Sequence, residues 1–324
     1  MRSLLDRADT RLQFAGHETF PCRYGWLKKS FDAIHLAHDE EARRAAFVPD
    51  HAIAEFGVGK NMVASMRHWA LAFGVLEGAG GRGKVGEIET TELGRTIFDV
   101  GDPYLERPDS LWALHWRLVH GPGRATAWYF AFNEFNDAIF TKESLTSKLV
   151  GRLDDLREAG RLSGGRVARR TVERDVDCLM RTYLTKTGTR AKAEDSLECP
   201  FAELGLLAAL PGVGAVQFRR GPKPTLPDGV FAFALLEFWR EHLPSRGSLT
   251  VETITHEPGS PGRAFLMDED SVVERLERIE TLGPDLLSWD ESSGLRQVTA
   301  RRPVADMVPQ ALLDAVYEPQ ELAA

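Results

Sequence analysis

Apolar residues recur every three to four positions along much of the chain, and the first clear stripe lies between Tyr24 and His35. There Trp26, Leu27, Phe31 and Ile34 fall on one side of a helix, with Thr19 and Pro21 as start signals upstream. A second helix is predicted from Asp50 to Phe56, broken by Gly57-Val58-Gly59, and a third from Lys60 to Phe73. At 100° per residue, Met62, Val63, Met66, Trp69, Ala70 and Phe73 share one face of that third helix. Lys60, Asn61, Ala64, Arg67 and His68 occupy the other, which is basic and polar. Two short strands, Val75–Glu77 and Val85–Glu89, then flank a glycine-rich tip carrying Arg82 and Lys84. Thr91 caps a short helix after them. Helix, helix, tight turn, helix and hairpin in this order predict a winged helix-turn-helix.

Beyond residue 100 the pattern becomes aromatic. Ser110 is expected to cap a helix with Leu111, Trp112, Leu114, Trp116 and Leu118, and Gly121-Pro122-Gly123 turns the chain into a second with Trp128, Tyr129, Phe130, Phe132 and Phe135. Such a hairpin reads as domain core, since aromatics dominate core burial; stacking on an extruded base is the competing use. Helices starting at Thr141 and Thr171 follow, the second with Val172, Val176, Leu179, Met180 and Tyr183 inward. Residues 229–243 form an apolar helix. Asp268 caps a helix over 271–281, and Leu286–Trp289 with Leu295–Thr299 make a hairpin. The whole predicts a mainly α, multi-domain chain with small β-wings. Residues 1–100 are the winged helix-turn-helix, 101–200 a central helical domain, and 201–324 a C-terminal α+β, winged-helix-like module.

Composition narrows the function. The 324 residues are 43% hydrophobic and 27% charged, as in ordinary globular domains. No apolar run approaches the roughly 20 residues that span a bilayer, and the N-terminus does not read as a signal peptide, so a cytoplasmic protein is expected. Cys22, Cys178 and Cys199 lack zinc-ligand spacing and read as isolated buried thiols. The net charge of −8 argues against non-specific coating of nucleic acid, so any contact with DNA must use local patches. Two patches qualify. On the winged unit, Lys60, Asn61, Arg67 and His68 would meet the major groove of double-stranded DNA, with Arg82 and Lys84 on the flanking backbone. Residues 161–174 hold five arginines and one acid. There Arg166, Arg169, Arg170 and Arg174 gather at a helix start, a phosphate site in the making, although a solvated basic loop explains them equally.

No nucleotide-binding glycine loop, zincin motif or serine elbow is present. Pro49-Asp50, Glu55 and Lys60 have the residue types of a metal nuclease but lie on a helix and turn, where the match is chance. Phosphodiester cleavage with Mg²⁺ or Mn²⁺ needs oxygen ligands and an activated water. The scattered candidates are His17 and Glu18, in a short irregular stretch among apolar neighbours, then Asp102, Glu106 and His115. Glu18, Asp102 and Glu106 would be the metal ligands. Asp175 and Asp177, and Glu194-Asp195, are further acids for which caps and surface charge suffice.

Several blocks together resemble one family. They are Phe14-Ala-Gly-His-Glu-Thr-Phe20 with Arg23 and Trp26-Leu-Lys28, then Gly57-Val-Gly-Lys-Asn-Met-Val63 with Arg67 and Trp69. Asp102-Pro-Tyr-Leu-Glu106, Leu111-Trp112 with His115-Trp116, Phe132-Asn133, and Glu194-Asp195 with Cys199-Pro200 follow in order. The chain resembles the SspB-like family of bacterial single-strand DNA phosphorothioate modification and anti-phage defence systems. The resemblance spans most of residues 14–240. It implies a DNA nickase working with a cysteine desulfurase, an ATPase and an ATP-pyrophosphatase-like sulfur-transfer enzyme to replace a non-bridging phosphate oxygen by sulfur. A non-catalytic DNA-binding scaffold that recruits those enzymes, and a winged-helix transcriptional regulator, are the alternatives; a homodimer is an assembly open to each. Beyond about Arg240 no motif matches.

Overall fold

Helix α1 (Trp26–His35) buries Trp26, Leu27, Phe31 and Ile34 in the order its periodicity predicts. It packs on α4 (Lys60–Ala72), with α2 (Glu40–Ala45) and α3 (Pro49–Phe56) alongside. Pro49 opens α3 at a position where its missing N–H costs nothing. Gly57 ends it with φ +67°, a conformation that a side chain resists, and Gly59 is extended at the start of α4. Strands β1 (Leu76–Ala79) and β2 (Glu87–Thr90) then pair antiparallel, with Leu76 opposite Thr90. Thr91 accepts the Gly94 amide to start α5 (Glu92–Arg95). The computed structural model describes residues 3–7, 10–79, 87–162, 166–185, 199–283, 285–292 and 294–318; Arg82, Lys84, Glu194 and Asp195 lie outside them.

The aromatic hairpin is core. Helices α6 (Pro108–His120) and α7 (Thr126–Asn133) bring Trp112, Trp116, Trp128, Tyr129 and Phe132 to full burial. Trp128 meets Trp69 of α4 edge-on with ring centres 5.4 Å apart, which joins this layer to the first. Ser110 does not cap α6: the helix begins two residues earlier at Pro108, and the Ser110 hydroxyl donates to Asp102 at 2.6 Å. Helix α8 (Lys142–Glu158) opens on a reciprocal cap between Thr141 and Ser144, and α9 (Arg169–Tyr183) packs against it. α9 starts two residues before Thr171.

Strands β3 (Ile139–Phe140), β4 (Leu207–Leu210) and β5 (Ala215–Phe218) form an antiparallel sheet in the order β3-β5-β4. The rest begins with α10 (Asp228–His242), followed by β6 (Ser248–Thr250), α11 (Val251–His256), α12 (Pro261–Ala264) and α13 (Glu269–Leu276), the last capped by Asp268. Strands β7 (Leu287–Ser292) and β8 (Leu295–Ala300) make the expected hairpin, and β6 adds to it in the order β6-β8-β7. Helix α14 (Pro309–Tyr317) packs against α10 and returns to the first layer, where Thr96 donates to Asp314 at 2.7 Å. The protein is thus mainly helical with small antiparallel sheets. Buried apolar residues from Leu4 to Leu313 form one continuous cluster, which runs across residues 100 and 200. No helix among the described residues is long and apolar enough to cross a membrane.

The three thiols are buried as expected but not isolated. Cys22, on the loop before α1, lies close enough to Cys178 of α9 and to Cys199 to feel both; burial first, then these neighbours, pushes its thiol well up. Low thiolate content makes such cysteines poor nucleophiles.

Candidate functional site

The open face of α4 carries Lys60, Asn61, Ala64 and Arg67, all exposed. Lys60, Ala64 and Arg67 follow the i, i+4, i+7 spacing of a single stripe. Lys60, Asn61 and Arg67 make no side-chain hydrogen bond or ion pair among the described residues. Arg124, just after the Gly-Pro-Gly turn, was not flagged by sequence; it sits near enough to Arg67 for the two charges to oppose each other, and burial first, then Arg67, lowers its pKa. His68 corrects the expected basic face. It is 7% exposed, because Ser65, His68 and Ala72 join Trp69 in the interior and the buried arc of α4 exceeds half its circumference. Its Nδ1 lies 3.2 Å from the Gln13 amide, and burial, with the neighbouring His17 next, lowers its pKa to about 3. His68 is a neutral core side chain that cannot reach a groove.

His17 is buried too, and both its nitrogens are used. The Thr19 amide donates to Nδ1 at 3.0 Å, so the proton resides on Nε2, which donates to Asp175 at 3.1 Å. The Ala15 amide donates to the same carboxylate oxygen at 2.9 Å. The ring stacks on Trp69 and meets Trp128 edge-on. Ala15, Glu18 and Thr19 all have positive φ, which wraps the backbone round the imidazole. Gly16 is required there, since a Cβ would run into the His68 ring. In place of the buried charged pair expected at His17-Glu18, the fold hydrogen-bonds His17 to Asp175 and leaves Glu18 exposed.

Asp102 is 4% exposed. It accepts the Glu106 amide at 2.8 Å, the Arg107 amide at 3.0 Å and the Ser110 hydroxyl, and so holds the loop that leads into α6. Glu106 projects into solvent. His115 is fully buried, its Nε2 donating to the Ala264 carbonyl and its Nδ1 accepting from Tyr183, both at 2.8 Å; burial lowers its pKa to about 4. His17, Asp102 and His115 thus each have hydrogen-bond partners within the fold. Glu18, Asp102 and Glu106 are not brought together as ligands.

The arginine cluster is partly neutralised. Arg166 pairs with Asp154 at 3.4 Å, and Arg169, in the first turn of α9, pairs with Glu143 and Glu173. Arg170 and Arg174 are exposed with no ion pair among the described residues.

One group of three ligand-type side chains does converge among the described residues: His120, Glu241 and His242 offer atoms all within 4.8 Å of one another. His120 lies 2.6 Å from the Glu241 carboxylate, which this hydrogen bond lowers to about 2. Sequence reading missed the group because 121 positions separate its halves and neighbours such as Glu241 and His242 point about 100° apart on a helix.

The fold is mainly helical with small antiparallel sheets, and the exposed face of α4 carries Lys60, Asn61 and Arg67. Residues 14–317 match the family described as "Protein of unknown function (DUF4007)", and the chain belongs to it. It is similar to a solved SspB crystal structure, at 31% identity and a TM-score of 0.82 over 97% of this chain and 90% of that one. A magnesium ion-bound SspB crystal structure is similar at 32% identity and 0.81 over 98% and 90%. No curated protein matches. The chain is thus an SspB-like member of its family.

Proposed function

We propose that this protein binds double-stranded DNA for a phosphorothioate-modification machinery, and that residues 49–98 are a winged helix-turn-helix that places the duplex. The observation that carries this reading is the unpaired stripe of Lys60, Asn61 and Arg67 on α4, with Arg124 beside it. A helix that turns exposed cations without an ion pair to solvent on one stripe is suited to phosphates. The C-terminal run from α10 to β8 is a second winged unit, supported by its β6-β8-β7 order and the helices between its first two strands. Glu269, Asp270 and Glu274 make its helix α13 acidic, which suits a protein partner such as the sulfur-transfer enzymes better than DNA.

The activity we assign to the bound duplex is nicking, on the family resemblance and on the magnesium bound by a relative. Glu18, Asp102 and Glu106 do not converge, so they do not form a magnesium site and no step is assigned through the ion. That misfit favours a second reading, a DNA-binding scaffold without cleavage.

Two measurements decide. Lys60→Ala with Arg67→Ala should weaken duplex binding and reduce the slope of log K against log salt by about 2; unchanged binding refutes the α4 interface. Supercoiled plasmid with Mg²⁺ or Mn²⁺ should become open-circular, and intact plasmid at stoichiometric protein rejects nicking in favour of the scaffold.

A further inference from the structure

Helices α6 and α10 run side by side with their C-terminal ends together. Trp116 donates its indole N–H to Glu237 at 2.8 Å, and one turn further along both helices His120 meets Glu241 at 2.6 Å. His242 follows, its ring centre 5.6 Å from that of His120. Across from it the chain passes as Gly259, with φ +85°, where a Cβ would stand 3.3 Å from His242 Nε2; the Gly259 amide is held by Asn133 at 2.8 Å.

Three imidazole nitrogens here are shielded from solvent and have no hydrogen-bond partner: Nδ1 of His120 and both nitrogens of His242. His120 as a whole is 8% exposed. Buried polar atoms are nearly always satisfied in folded proteins, and a cluster of three that are not calls for a missing partner. A proton donor would serve a single lone pair. An ion serves both rings and the carboxylate at once. Ligand atoms on an ion bound at about 2.0–2.2 Å lie about 3–4 Å apart, and the atoms here are already within 4.8 Å. Two negative helix ends also converge on the site, which favours a cation.

We infer that His120, Glu241 and His242 bind a divalent transition ion of the zinc class. Two imidazoles and one carboxylate are borderline ligands suited to zinc, whereas Mg²⁺ takes oxygen donors and keeps its waters. The Glu241 side chain is 48% exposed, so the ion enters from that side and retains a position open to water. The ion ties the end of the aromatic hairpin to the end of α10. The inference does not rest on DNA binding or nicking.

The full-length protein, freed of metal with a chelator, should bind one equivalent of Zn²⁺ by calorimetry and gain thermal stability. Co²⁺ at the same site should give the visible absorption of a four-coordinate ion. Excess Mg²⁺ should not compete. Glu241→Gln, on the exposed side, and His242→Gln should each lower Zn²⁺ affinity about 100-fold or more, because even outer partners of ligands are worth about 10–100-fold, while circular dichroism confirms that both variants are folded. Absence of saturable Zn²⁺ binding, or wild-type affinity in either variant, or displacement by Mg²⁺, overturns the assignment.

Discussion

The Thr19 amide decides what His17 can do. By donating to Nδ1 it leaves the ring a single place for its proton, and that proton is committed to Asp175. His17→Ala therefore removes the donor that faces a carboxylate 1% exposed. The expected cost is about 2 kcal/mol, the penalty for leaving a buried acceptor short of a donor, read from urea denaturation; a loss below about 0.5 kcal/mol contradicts this account. His68 and His115 give the molecule a pH dependence. Their folded pKa values, about 3 and about 4, lie below the ordinary 6.5. The unfolded chain takes up protons first, so stability is complete above about pH 6.5 and is lost as pH falls towards 4. His115 alone accounts for roughly 3 kcal/mol at the acid limit. The urea midpoint should drop between pH 7.5 and pH 5, and an unchanged midpoint would show that these rings are solvated.

At the scale of elements, caps and breakers carried most of the information. Gly57 and Gly59, Thr91, Thr141 and Asp268 each mark in sequence an end that the fold uses. Thr141→Ala should cost about 1 kcal/mol by removing the acceptor for the Ser144 amide; thermal unfolding checks it, and no change would mean that the exposed first turn is solvated without loss. Where expectation failed, a tertiary contact had overridden a local signal. Ser110 has the residue type of a cap, but Pro108 opens the helix and the Ser110 hydroxyl turns to Asp102 on the preceding loop. His68 has the polarity of a surface residue, but Gln13 and His17 arrive from another segment to enclose it. The candidate ligands were illegible for the same reason: His120 and Glu241 meet only because two helices pack. The stripe on α4 was legible because one helix supplies it.

Across the whole molecule, the C-terminal helix closes onto the first hundred residues. Tyr317 lies against Gly101, its hydroxyl 2.8 Å from Ser110 and its ring 4.8 Å beneath the Arg107 guanidinium. Gln310 and Asp314 both hold Thr96. Tyr317→Ala should cost about 2 kcal/mol, below the range for a fully buried aromatic because the ring is partly exposed, and should expose the 96–110 segment to protease. Protease resistance equal to wild type would show that α14 is a passenger.

That closing helix also sets an order of events. A ribosome delivers the chain from its N-terminus, and domains usually fold as they emerge. Here the surface around Thr96, Gly101 and Ser110 waits for partners at 310–317, the last described segment to be made. The 96–110 surface is completed only once residues 309–317 have been made, so a nascent chain stalled before residue 309 should remain susceptible to protease at 96–110.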